Sequence, residues 1–245
     1  MVRLNKFIAQ SGYCSRRKAD QLILEGKVKV NGQTVKDLGI KIDPEKDTVE
    51  VDGQTIKPKE NKVYLLIYKP VGYLSALGKD KFGRKTLTDL LQELKIPYKL
   101  FPVGRLDYNS EGLLILTNDG DFANKVAHPR NEIKKVYKVQ VVGNVTDETL
   151  DKMRKGTQLE DGFFKPDDIK ILKRNSDSTW LMVEIHSGKK RIIRRFMDSF
   201  SHRVKRLIRV KIDSIELGNL KPFQYRYLTS KEVRRILNEE RDSAK

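Results

Sequence analysis

The sequence predicts an α+β protein in two parts: a small module of two helices and a small sheet, then a larger domain around a mixed, mainly antiparallel β-sheet. Three observations predict this. Helical periodicity gives way to two hairpin patterns within the first 56 residues. A polar, proline-bearing stretch without periodicity follows, as a linker does. Beyond it, strand-like and helix-like segments interleave irregularly, with no repeated βαβ unit.

In the module, residues 1–58, Leu4, Phe7 and Ile8 recur at helical spacing over residues 3–9. Ser11-Gly12 breaks that helix. Ser15 stands where a second helix, residues 16–25, needs its N-cap, with Ala19, Leu22 and Ile23 facing inward and Gly26 as the stop. Apolar alternation around Asn31-Gly32, and again around Asp52-Gly53, reads as hairpins. Residues 59–62 are the expected linker. In the domain 63–237, residues 63–68 and 113–116 are apolar runs of buried strands. Residues 135–142, 169–173, 179–185 and 204–212 read as further strands. Residues 121–127, 146–155, 191–200 and 230–237 read as helices, the last capped by Ser230. Residues 101–112 read as a turn-rich loop presenting Arg105, Asp107 and Glu111 from a sheet edge, and loops on a rigid scaffold are where chemistry sits. Residues 238–245 read as a polar tail.

Fifty Lys and Arg face 33 Asp and Glu among 245 residues, a net charge of +17. A charge that large repels itself unless a polyanion neutralises it. Arg16, Arg17 and Lys18 open the second helix beside the positive end of its dipole, which disfavours cations but suits a bound phosphate. Cys14 is the single cysteine, which excludes a disulfide framework and a multi-cysteine metal site. No run of about 18 apolar residues exists to cross a membrane, and residues 1–6 lack the core of a signal peptide. A soluble, cytoplasmic monomer is the expectation.

Two sets of motifs carry a resemblance. Arg3-Leu4-Asn5-Lys6-Phe7-Ile8, Ser15-Arg16-Arg17-Lys18-Ala19-Asp20, Gly26-Lys27-Val28 and Val30-Asn31-Gly32 resemble the alpha-L (S4-like) RNA-binding domain. Further on, Lys69-Pro70-Val71-Gly72, Gly104-Arg105-Leu106-Asp107, Ser110 to Gly120, His128-Pro129, Lys135 to Val139 and Gly188 to Met197 resemble, in order, the motifs of bacterial pseudouridine synthases of the RsuA/RluB group. Leu159-Glu160-Asp161-Gly162 leans towards the RluB branch. The resemblance spans about residues 2–230.

It implies an isomerase that converts a specific uridine of ribosomal RNA to pseudouridine, without cofactor or metal. The family's catalytic aspartate falls on Asp107, which works as an anion. Its paired arginine falls on Arg194 and its active-site tyrosine on Tyr137, which can stack on uracil. Arg105, Lys69, Arg16, Arg17, Lys18, Lys189, Arg191 and Arg195 are the expected RNA contacts, and Arg203, Lys205, Arg206 and Arg209 could hold flanking phosphates. The expected partner is ribosomal RNA or a pre-ribosomal particle. Ser187 and Ile192 depart from the family's third motif, where an acidic and a polar residue are usual. Alternatives are a small-subunit RNA target, a ribosome-associated RNA-binding protein without catalysis, and a DNA-binding protein, though no helix-turn-helix or zinc-finger spacing supports the last.

Overall fold

A computed structural model describes residues 1–58 and 61–237, so the polar tail and half of the expected linker lie outside the described residues. The chain divides into two compact units, residues 1–63 with 118–120, and residues 64–117 with 121–245.

The first unit runs β1 (Val2–Arg3), α1 (Leu4–Gln10), α2 (Arg16–Leu24), β2 (Val28–Val30), β3 (Gln33–Thr34), β4 (Lys41–Ile42), β5 (Val49–Val51) and β6 (Gln54–Ile56). Ser15 does cap α2, accepting from the Lys18 amide at 3.3 Å. Asn31 and Gly32 both take positive φ, as a two-residue type I′ hairpin turn requires. The hairpins join in the order β3-β2-β5-β6, all antiparallel. Leu4, Phe7, Ile8, Leu22 and Ile23 of the helices meet Val28 and Val51 in one core.

The second unit opens with β7 (Tyr64–Lys69), α3 (Leu87–Glu93), β8 (Phe101–Val103), β9 (Glu111–Thr117), α4 (Gly120–Ala127) and a 3-10 turn at Pro129–Asn131. There follow β10 (Lys135–Val142), α5 (Asp147–Lys155), β11 (Thr157–Leu159), β12 (Gly162–Phe164), β13 (Asp168–Arg174) and β14 (Ser178–Ile185). It closes with α6 (Ile192–Asp198), β15 (Val204–Ile212), β16 (Ile215–Glu216), β17 (Tyr225–Tyr227) and α7 (Ser230–Leu237). Its main sheet runs β13-β14-β10-β15-β9-β7-β17, antiparallel except between β15 and β9. β10 and β15 lie side by side at its centre. Leu66, Tyr68, Leu113, Ile115, Phe122 and Ile212 build a core on one face. No helix among the described residues is long and apolar enough to cross a membrane.

One edge of β9 is shared. β7 covers the other edge from Gly112 to Thr117, so β15 and β8 both take the remaining one. β15 pairs only at Glu111 and Gly112; β8 takes over from Ile115 to Thr117. Residues 104–110 bridge β8 and β9 at this seam.

Three expectations need correction. Phe101–Val103 is a strand, not the start of a loop. The cap of α7 is Thr229 rather than Ser230, because Glu232 lies three residues after Thr229: their side chains and amides exchange hydrogen bonds at 3.2 and 2.8 Å. Arg191 is not yet helical; it precedes α6 in the left-handed region, φ 51°.

Candidate active site

The loop of residues 104–110 is held from beneath through its main chain. The Ser75 hydroxyl donates to the Leu106 carbonyl at 2.7 Å and accepts from the Leu106 amide at 3.0 Å. The Lys69 ammonium, at 0% exposure, donates to the carbonyls of Pro70 and Ser110, both at 2.9 Å. Arg209, 3% exposed, donates to the carbonyls of Leu113 at 2.8 Å and Arg105 at 3.4 Å. Arg194, 8% exposed, donates to the Asn109 carbonyl at 2.7 Å and that of Val204 at 3.4 Å. Three buried cations and a buried serine thus grip the carbonyls of residues 105, 106, 109 and 110. The loop itself turns tightly, the Ser110 amide donating to the Asp107 carbonyl at 3.0 Å. Two donors of this cradle, Arg194 Nε and Arg209 Nη2, are buried with no acceptor among the described residues.

Above the cradle, half-buried Asp107 enters a cleft of about 520 Å³, within the roughly 300–1,000 Å³ of small-molecule sites. Asp107 is the one carboxylate among the described residues lining it. Tyr137, on β10 and paired in register with Arg209 on β15, lines the same cleft. Lys135, Lys189, Lys190, Arg191 and Arg105 make its walls basic. The arrangement offers one carboxylate, an aromatic ring, and cations for phosphate.

Several expected residues stand elsewhere or act otherwise. Lys69 and Arg209 are interior residues that brace the loop; Arg209 also lines the cleft, while Lys69 is fully buried. Arg194 lies within electrostatic reach of Asp107, but no ion pair joins them among the described residues. Its guanidinium sits under the loop, while the carboxylate lines the cleft. Arg195 is occupied by Asp161, in two hydrogen bonds of 2.7 and 3.1 Å, and by the Lys190 carbonyl. Lys189 donates to the Asp161 carbonyl at 2.8 Å, yet still lines the cleft. Lys205 pairs with Asp177. Arg191 and Arg105 are exposed, as are Arg16, Arg17 and Lys18 in the first unit. Glu111 is not presented at an edge: it is buried between the Tyr68 hydroxyl at 2.8 Å and Arg206 at 2.9 Å. Burial and Glu111 push the Tyr68 hydroxyl up to about 12.

Sequence reasoning missed Ser75, whose partner is 31 residues away; no local pattern marks it. It passed over Lys135 as a cleft residue, though Lys135 opens the motif containing Tyr137.

Burial, then Arg209, push the Lys69 ammonium down to about 8, against the pull of Asp107 and Glu111. In the unfolded chain the ordinary lysine value is roughly 10.4. The unfolded state therefore holds more protons between those values, and this group makes stability rise with pH from about 8 to about 10.4. Below pH 8 the cost of burying the charge is fully present. In urea titrations at pH 7 to 10, the stability of wild type relative to Lys69→Met is expected to climb. A flat difference would remove Lys69 as its source.

Residues 63–199 match the family described as RNA pseudouridylate synthase, and residues 2–49 match the S4 domain. An RNA pseudouridine synthase of Aquifex aeolicus is 50% identical, with 96% of this chain and 93% of that one covered. The ribosomal large subunit pseudouridine synthase B of Bacillus subtilis is 43% identical, with 96% of each covered. A crystal structure of a pseudouridylate synthase superposes with a TM-score of 0.65 at 26% identity, covering 96% of this chain and 100% of that one.

Proposed function

Because this chain belongs to the RNA pseudouridylate synthase family, and so is an isomerase acting on RNA, we propose that it modifies a specific uridine of large-subunit ribosomal RNA through Asp107. The observation that carries the residue assignment is the one carboxylate lining the cleft among the described residues, on a loop braced by four buried side chains. A braced loop fixes where a reacting group stands before substrate arrives, so little ordering remains at the reaction.

As an anion, Asp107 stabilises positive charge on the ribose, or bonds transiently to the uridine and is released before product leaves, while the bond from C1′ to N1 breaks. The base turns and a bond from C1′ to C5 forms. A proton leaves C5 and one is taken up at N1, so nothing is oxidised or hydrolysed. Tyr137 stacks on the turning base and its hydroxyl helps to move that proton. Arg194 positions the loop by gripping Asn109. Arg105, Lys189 and Arg191 meet the phosphates beside the uridine, and Arg16, Arg17 and Lys18 hold RNA from the first unit. The large-subunit target rests on the similarity to the Bacillus subtilis enzyme.

The test is to map pseudouridine in unmodified large-subunit and small-subunit ribosomal RNA transcripts after incubation with the protein. One new pseudouridine in the large-subunit RNA is expected. Modification of the small-subunit RNA alone would overturn the substrate; none in either would overturn the activity.

A further inference from the structure

Residues 223–227 set aromatic rings along the outer edge of the main sheet. β17 ends the strand order, and no strand pairs with its outer edge among the described residues. Tyr225 and Tyr227 alternate along it and so share a face, their ring centres 6.5 Å apart. The Tyr227 hydroxyl meets Tyr98, from the segment between α3 and β8. At the other end, Phe223 packs edge-on against Tyr73, with ring centres 5.8 Å apart. Tyr98, Phe223, Tyr225 and Tyr227 are all exposed. The row begins beside the support of the catalytic loop: the Phe223 amide donates to the carbonyl of Tyr68, the neighbour of Lys69, at 3.3 Å. It then runs back along β7, away from that loop, for roughly 13 Å, four residues at about 3.3 Å each. Phe223 itself has a strained backbone. Lys221 to Gln224 form a turn, closed by the Gln224 amide on the Lys221 carbonyl at 3.0 Å, with Pro222 in the second place. Phe223 fills the third with φ 66°, where a type II turn asks for glycine or asparagine.

Exposed tyrosines and phenylalanines suit two kinds of partner, a protein surface or a single-stranded nucleic acid. Charge decides between them. Lys221 and Lys99 are exposed, the first in the turn that carries Phe223 and the second next to Tyr98 in the chain. The Lys85 ammonium lies 5.3 Å from the centre of the Tyr73 ring. The two carboxylates bonded to neighbours of the row are already neutralised, Glu93 by Lys85 and Glu232 by Arg226. Rings set among cations match bases carried on a phosphate backbone. Backbone strain of the kind seen at Phe223 clusters where a ligand is held. We propose that Tyr98, Phe223, Tyr225 and Tyr227 form a stacking rail for single-stranded RNA outside the cleft, with bases on the rings and phosphates on Lys99 and Lys221. The strand it takes is RNA flanking the modified nucleotide, a point that rests on the reading of the cleft as the uridine site. The turn of residues 221–224 positions the first ring of the rail.

Two measurements on the full chain test it. Trp180, on β14, is the protein's one tryptophan. In a Trp180→Phe background, Tyr227→Trp puts a single emitter on the rail. Titrated with a short single-stranded oligoadenylate RNA, its emission is expected to be quenched, because the indole stacks on a base. Unchanged emission at RNA concentrations where a gel shift shows saturation would overturn the rail. Emission that ignores RNA but shifts as protein concentration rises would mark the row as a contact between copies of the chain, and would overturn it equally. In filter binding of the same oligonucleotide, Phe223→Asn and the double variant Tyr225→Ala, Tyr227→Ala are each expected to weaken affinity on the order of 10-fold, with the paired phenylalanine variants keeping most of it. Asparagine tolerates the left-handed backbone at residue 223, so the melting temperature of Phe223→Asn is expected to stay near that of wild type while its affinity falls. Affinities within twofold of wild type for both variants would also overturn the rail. These binding readouts stand whether or not pseudouridine forms, so failure of the functional reading shows separately, in the mapping of modified transcript.

Discussion

Asp107→Asn is expected to lower pseudouridine formation by roughly ten-thousand-fold, the scale seen when one member of a catalytic constellation is removed, while RNA affinity and thermal stability stay near wild type. The reasoning is geometric. The Asp107 side chain makes no hydrogen bond within the protein among the described residues; its structural contribution is the carbonyl that accepts from Ser110. Asparagine keeps that carbonyl and nearly the same volume, and it removes the anion. Removing a negative charge from a basic cleft cannot weaken its hold on phosphate. Single-turnover assays on ribosomal RNA transcript, with binding and melting curves on the same variant, separate these effects. Modification at the wild-type rate would sink the assignment; a large fall in melting temperature would recast Asp107 as a structural residue.

Gly112→Ala should be worse for the fold than any surface change. Gly112 has φ 103°, a left-handed conformation that side chains rarely adopt, and a Cβ there would overlap the Arg209 carbonyl oxygen and lie 2.9 Å from the Arg209 nitrogen. Both neighbours are backbone of β15, paired in register with β9 at this residue. Neither strand can withdraw without undoing the seam. Nor can Arg209 move without releasing Leu113 and Arg105. A loss of about 3–5 kcal/mol follows, the range of severe backbone and packing errors. Urea unfolding should show it, and the weakened seam should also depress activity. Stability within about 0.5 kcal/mol of wild type, the range of neutral surface changes, would show that β9 and β15 can part without consequence.

What was legible in the sequence followed from local rules. The strands 135–142 and 204–212 were legible with the observed bounds because each is rich in β-branched and other apolar residues. The first hairpin was marked by Asn31-Gly32 and the second helix by Ser15. β8 was hidden because it is three residues long and carries Pro102, which strands tolerate only at an edge or a bulge. α3 was overlooked although Thr86 and Asp89 form a capping box before Leu87, Leu90 and Leu91, since Asp replaces the usual Glu or Gln. At the site, the ordered motifs brought Asp107, Tyr137, Arg194 and Arg105 to one cleft or its support. The interior places of Lys69 and Arg209 were not legible, because lysine and arginine are almost never fully buried unless paired. Their partners are carbonyls 41 and 104 residues away, which only the assembled sheet supplies.

The cradle beneath the loop grips main-chain oxygens, and every amino acid carries one. Arg105 and Asn109 contribute their carbonyls to it, while their side chains make no hydrogen bond among the described residues. Exchanging those side chains therefore leaves the support of Asp107 intact. Such a site can drift in which RNA it prefers, through residues on the loop's outer surface, without surrendering the chemistry held at its centre.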